Sequence, residues 1–206
     1  MPKLKAKKPL LLGLTGGIAT GKSTVSKILR DMGIAVICAD TLAHRVIEKG
    51  TPVAKKIIKT FGKEILLSTG EIDRGKLGEI VFAKTKLRKI LEALVHPAVK
   101  KQMLAEAKTY KNAGHSLIVF DVPLLFESGW DSLCDQVICV YASQAQQIER
   151  LQKRNGIPAH QARLRLKAQM PLLEKCRRSD YVIKNNKDLN QLKKQVSELL
   201  HKLTPH

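Results

Sequence analysis

Nine consecutive residues carry the most legible chemistry in this chain. Gly16, Gly21, Lys22 and Ser23 fill the pattern G-x-x-x-x-G-K-[ST], with Gly17, Ile18, Ala19 and Thr20 between the glycines and Thr24 after them. Each residue type has a mechanical task. The glycines let the backbone turn tightly and bring its N–H groups up to phosphate oxygens. A helix starting at Gly21 aims its positive dipole end at the same anions. Lys22 reaches the β- and γ-phosphates of a nucleoside triphosphate, and the Ser23 hydroxyl is a ligand for Mg²⁺. A turn that merely starts a helix would need neither the lysine nor the hydroxyl at these positions.

Further residues could act with this loop. Asp40 follows the apolar run Ile34 to Cys38, and Asp121 ends the run Ser116 to Asp121. As helix N-cap, Asp40 would need no further role, and the two tasks are compatible. Asp121 sits where a metal-organising aspartate of a phosphate-loop enzyme belongs. Arg150 and Arg154 are four residues apart and share one helix face. His96 precedes Pro97, a helix-ending position, and a lone histidine there reads as structural. Cys38, Cys134, Cys139 and Cys176 form no C-x-x-C pair, which argues against zinc and dithiol chemistry. Cys38 and Cys139 lie in apolar runs and read as buried, inert thiols.

The elements that must position these groups follow from the hydrophobic pattern. Leu10 to Leu14, Ile34 to Cys38, Ser116 to Asp121, Asp135 to Tyr141 and Tyr181 to Ile183 are short apolar runs suited to buried strands. A strand, the phosphate loop, a helix from Gly21 to Met32 and a second strand make a βαβ unit, so these strands should be parallel. That places Asp40 at a strand's C-terminal end, where open α/β sheets bind ligands. Residues 41–114 show helical patterns punctuated by Gly and Pro, too long for a simple crossover. They read as a helical insert, with Asp73-Arg74-Gly75 opening one of its helices. Leu124 to Phe126 read as an apolar loop packing the insert against the core. Ser143 to Arg154 and Ala159 to Gln169 form a basic helical hairpin suited to cover bound phosphates as a lid. Leu189 to Leu203 closes the chain as an amphipathic helix. The expected class is α/β: a P-loop NTPase-type parallel five-stranded sheet flanked by helices, with a helical substrate-binding insert (41–114) and a helical lid (148–169).

Composition narrows the partners. The 206 residues carry 37 Lys and Arg against 18 Asp and Glu, a formal charge of +19. Such a balance points to anionic partners: nucleotides, phosphorylated small molecules, nucleic acid or an acidic surface. Much of the lysine falls on amphipathic helices, where a solvated face accounts for it. Aromatic residues are 4% of the chain, and none lies on the basic hairpin, which argues against single-strand stacking. The start, Met1 to Pro9, reads as a loose basic arm. The apolar run after it is too short for a secretory signal, and no stretch approaches the roughly 20 apolar residues of a membrane span. The expectation is a soluble, cytoplasmic protein.

With these landmarks in place, the chain resembles the dephospho-coenzyme A kinase family from about Leu11 to Leu200. GLTGGIATGKSTV resembles its phosphate loop, including Thr15 before the glycine pair, and Ala39-Asp40 with His44 resembles its strand-two acid motif. GEIDRGKLGEIVF and LVHPAV resemble its substrate-side insert. FDVPLLFE, ERLQKRNG, RLKAQMP and SDYVIKNN resemble its middle and lid segments. Two positions depart from the family pattern: Cys38 replaces the first acid of Asp-Ala-Asp, and Asn155 follows Arg154 where Asp is usual. The resemblance implies transfer of the ATP γ-phosphoryl group to the 3′-hydroxyl of dephospho-CoA, with Mg²⁺. It implies catalytic roles for Asp40, Lys22, Arg150, Arg154 and Thr15, and substrate contacts from Asp40, Arg74, Leu77, His96 and Pro123. It implies a small-molecule partner, no nucleic acid or membrane, and a monomer or small homo-oligomer. A P-loop kinase for nucleosides or nucleoside monophosphates, and a nucleic-acid-stimulated NTPase, are the alternatives.

Overall fold

The computed structural model describes residues 8–203. The basic arm expected over Met1 to Pro9 lies outside the described residues, apart from Lys8 and Pro9. The chain forms two compact units, one of Met1–Ile37 with Thr109–His206 and one of Cys38–Lys108.

The first unit is built on the buried apolar runs. β1 (Leu10–Gly16), β2 (Ala35–Cys38), β3 (Leu117–Asp121), β4 (Gln136–Tyr141) and β5 (Tyr181–Lys184) make one parallel sheet in the order β2-β3-β1-β4-β5. Strands covered on both faces read as continuous hydrophobic runs, and all five residues of β3 are buried. β1 is longer than the sequence run suggested, because its ladder with β4 continues through Thr15 and Gly16. The register sets Leu14 opposite Asp121. From β1 the chain crosses to β2 on one side, whereas from β3 it crosses to β4 on the other. Adjacent strands that send the chain in opposite directions leave a crevice beyond their C-terminal ends. The phosphate loop follows β1 there, and Asp121 closes β3.

α1 (Lys22–Asp31) and α9 (Leu189–Leu203) lie against the sheet. Val25, Ile28 and Leu29 of α1 pack with Leu192 and Val196 of α9 on Leu12, Leu14 and Val119. A fully buried aliphatic side chain is worth about 1.5–3 kcal/mol, so this layer holds α1, and with it the loop, in place. α6 (Gln144–Asn155), α7 (Ala159–Lys167) and α8 (Leu172–Arg177) complete the unit. The second helix of the basic hairpin ends at Lys167, short of the Gln169 expected, and the Gln169 amide makes one tight-turn bond to the Leu166 carbonyl at 3.3 Å.

The second unit contains α2 (Ala39–Val46), α3 (Pro52–Phe61), α4 (Arg74–Ala83) and most of α5 (Thr85–Asn112). Its core is Ala54, Ile57, Phe61, Ile65, Ile72 and Leu77. Asp73 caps α4 by accepting from the Gly75 and Lys76 amides at 2.9 and 3.1 Å. One expectation fails here: the helix does not end at His96, because α5 runs unbroken through Pro97. The proline removes one backbone bond, at a cost of about 3 kcal/mol. Partly buried Leu87, Ile90, Leu91 and Leu94 before it, and buried Val99 and Met103 after it, hold the two halves to one axis. No helix among the described residues is long and apolar enough to cross a membrane.

Candidate phosphate-binding site

The loop between β1 and α1 is held in a conformation that only its own residue types permit. Gly21, the N-cap of α1, has φ 90°, a left-handed value. A Cβ there would lie 2.1 Å from Asn185 Nδ2. At Gly17 a Cβ would come within 2.8 Å of Gln147 Nε2. Ala19 also adopts a left-handed φ of 59°, at a cost of about 1 kcal/mol or more for a residue with a side chain. Buried Thr20 closes the turn, its hydroxyl donating to the Gly17 carbonyl at 2.9 Å. Lys22 and Ser23 begin α1, so their amides have no acceptor within the helix and sit at its positive end.

A charged group sits beneath this cradle. The Lys22 ammonium is paired with the Asp121 carboxylate, whose second oxygen accepts from Ser26. Asp121 is 3% exposed, whereas Ser23 is exposed at the loop surface. A hydroxyl and a carboxylate are the sparse oxygen set with which a protein holds Mg²⁺ beside substrate phosphates. No group of three His, Cys, Asp or Glu side chains among the described residues could hold a metal by itself. The Thr15 hydroxyl is fully buried and donates to the Pro123 carbonyl at 3.0 Å, in the turn that follows Asp121.

Four side chains remote in sequence clasp the loop. Gln147 donates to the Ile18 carbonyl at 2.7 Å, and the Ile18 amide donates to Gln169 Oε1 at 2.9 Å. Both polar groups of one loop residue are thus taken by amides from either end of the basic hairpin. Asn185 Nδ2 donates to the Thr20 carbonyl at 2.8 Å. Arg150 donates to the carbonyls of Ala19 at 3.3 Å, Thr20 at 3.4 Å and Asn185 at 2.9 Å. Sequence reasoning singled out Arg150 but assigned Gln147, Gln169 and Asn185 no task. The stretches RLKAQMP, which holds Gln169, and SDYVIKNN, which holds Asn185, were the local signals pointing at any of them.

The remaining candidates lie on other elements. Arg154 is exposed and donates to its neighbour Asn155 at 3.0 Å. Asp40 is exposed on the first turn of α2, directly after β2. Its charge suits a helix N-terminus. Arg74 lines a cavity of about 560 Å³ within the second unit, together with Glu48, Lys49, Glu71 and Asp73. Leu77 is 4% exposed in that unit's apolar core, and His96 is half-buried midway along α5.

Cys139 is buried as expected, but Cys38 is only half-buried, because its short edge strand runs straight into α2. Burial, then the Asp131 and Asp135 charges, push the Cys134 thiol up to about 12. Burial chiefly, with neighbouring Cys176, raises Cys139. Neither is a nucleophile at neutral pH.

This arrangement can grip a chain of phosphates: amides at a helix start, an ammonium paired with an acid, and a hydroxyl beside it. Comparison with known proteins extends the reading beyond the loop. A family model for dephospho-CoA kinase matches residues 10–191. A dephospho-CoA kinase from Geobacillus kaustophilus is 47% identical over 191 residues, 93% of this chain and 95% of that protein. A crystal structure from Thermus thermophilus superposes with a TM-score of 0.83 at 33% identity, covering 96% of this chain and all of that one. A dephospho-CoA kinase from Campylobacter jejuni superposes at 0.71 with 29% identity, covering 94% of this chain and 96% of that one.

Proposed function

The chain belongs to the dephospho-CoA kinase family, and from that premise we propose that it moves the γ-phosphoryl group of ATP onto the ribose 3′-hydroxyl of dephospho-CoA. It is a phosphotransferase that acts on a hydroxyl of dephospho-CoA, a step of coenzyme A biosynthesis, with ATP as donor. One observation carries the assignment: the family match runs from β1 into α9, and so takes in the phosphate loop and the second unit together.

Phosphoryl transfer depends on placement and charge neutralisation more than on covalent chemistry. In the proposed cycle the amides at the start of α1 hold the β-phosphate, and Lys22 shares its charge between Asp121 and the γ-phosphate. Ser23 and Asp121 are the residues that would hold Mg²⁺, which when bound supplies further neutralisation of phosphate charge. Asp40 accepts the proton of the attacking hydroxyl, or fixes that hydroxyl in line. Arg154 reaches the transferring phosphoryl in a closed lid spanning 148–169, which excludes water. Within the insert, 41–114, Arg74 and His96 contact the substrate, while Leu77 lies in the insert's apolar core. The working unit is a monomer or small homo-oligomer in the cytoplasm. A coupled assay of ADP formation, with Mg²⁺-ATP and a panel of alcohol acceptors, tests the assignment. Clear preference for dephospho-CoA supports it, and equal use of nucleosides or nucleoside monophosphates would overturn it.

A further inference from the structure

Among the described residues, Lys175 stands apart from the other Lys and Arg side chains, because it has no exposed surface at all. It lies on α8, and its ammonium donates to the Pro123 carbonyl at 2.9 Å and meets Glu127 Oε1 at 2.9 Å. A buried ion pair is weak as a source of stability, since well-packed apolar side chains of equal volume often serve as well or better. What such a pair does provide is orientation, and here the groups it orients all lead to the phosphate loop.

The Pro123 carbonyl accepts both the Lys175 ammonium and the Thr15 hydroxyl. The turn containing it begins two residues after Asp121, the partner of Lys22. Between the two, the Val122 amide donates to the Leu14 carbonyl at 3.0 Å. Asp121 is therefore held between a strand on one side and the Pro123 anchor on the other. Glu127 makes a second link: it also accepts from the Met170 amide at 3.2 Å. The preceding residue, Gln169, takes the Ile18 amide. One buried ammonium thus ties the turn after β3 and the strap after α7 to the two ends of the same loop.

We infer that Lys175 is a positioning residue for phosphoryl transfer, setting the Asp121–Lys22 pair and the Gln169 clasp through Pro123 and Glu127. The inference rests on the kinase reading above. In the protein without Lys175, Pro123 keeps only the Thr15 hydroxyl, and the turn gains freedom where Lys22 must be placed. The nucleotide's contacts with the amides of α1 remain, so the loss falls on the rate of transfer and not on ATP binding.

The test compares the wild type with Lys175→Met/Glu127→Gln, which removes both charges and leaves no lone buried ion. The melting temperature of this double variant should stay within a few degrees of wild type. Its kcat should fall at least tenfold, with KM for ATP within about twofold. The effects of Thr15→Val and of the double variant should be non-additive, because both groups hold one carbonyl. A kcat within twofold of wild type, or additive effects of Thr15→Val, would overturn the inference. Amide hydrogen exchange over residues 121–127 gives a readout independent of turnover: faster exchange in the double variant is expected, and unchanged exchange is contrary. Absence of wild-type turnover with dephospho-CoA would strike the kinase reading instead, and the exchange result would still decide the role of Lys175 as anchor.

Discussion

Replacing Arg150 by Met separates two tasks that a lid arginine could have. In the structure its guanidinium serves the protein: it donates to Asn185 at 2.9 Å and more loosely to Ala19 and Thr20 at 3.3 and 3.4 Å. A hydrogen bond from a charged donor is worth about 1.5–3 kcal/mol net, and the two long contacts lie near the edge of useful geometry. Thr20 keeps its bond from Asn185. Arg150 is half-buried, so water replaces part of what is lost. The sum is about 2 kcal/mol, which in a chain of this size lowers the melting temperature by roughly 4–8 °C. The loop carbonyls also lose the donors that keep Ala19 in its left-handed turn, so ATP should bind more weakly. Thermal melts without nucleotide and an ATP titration check both. Lysine should not rescue, since one ammonium cannot reproduce the planar fork. An unchanged melt and ATP affinity, beside a kcat loss of the order 10²–10³ typical of a lost transition-state donor, would refute the argument and confine Arg150 to the transferring phosphoryl.

Gly21→Ala puts a methyl group against Asn185 Nδ2 and forces φ 90° on an L-residue; ATP affinity measured by calorimetry should be lost, with destabilisation of about 2–4 kcal/mol from strain and the displaced Asn185 bond. Asp135 takes the Leu11 amide and the Lys8 ammonium, and these hold its carboxyl below the ordinary range. A lowered carboxylate adds stability above its unfolded pKa and loses it as the pH falls through the folded value. Asp135→Asn should therefore be less stable than wild type at pH 7, with the gap closing below about pH 4 in parallel denaturation curves. Iodoacetamide at pH 8 should spare Cys134 and Cys139 in the folded protein and label both in urea, as read by mass spectrometry, because burial keeps the two thiols protonated.

What sequence could and could not show follows from the range of each interaction. The strands were legible because a run such as Leu117 to Phe120, buried throughout, leaves no polar residue to confuse it. The phosphate loop was legible because a left-handed turn and a close backbone approach demand glycine at set positions. Pro97 misled, since a local rule met a tertiary core strong enough to carry one missing bond. The clasp that Gln147, Gln169 and Asn185 make around Ile18 and Thr20 was not legible as a set of contacts. Its members stand 129, 151 and 165 residues from their partners, and Gln and Asn are ordinary surface types. Lys175 was hidden by its own class: among so many solvated lysines, nothing in the sequence marks the one that folding buries.

The account turns on whether the Asp40 carboxylate activates the acceptor hydroxyl of dephospho-CoA. Asp40→Asn, assayed for ADP formation with saturating Mg²⁺-ATP and dephospho-CoA and titrated separately with ATP, tests this most directly. Turnover should fall on the order of 10²–10⁴-fold, the usual contribution of a positioned base, with ATP affinity within about twofold of wild type. Turnover equal to wild type would contradict the account.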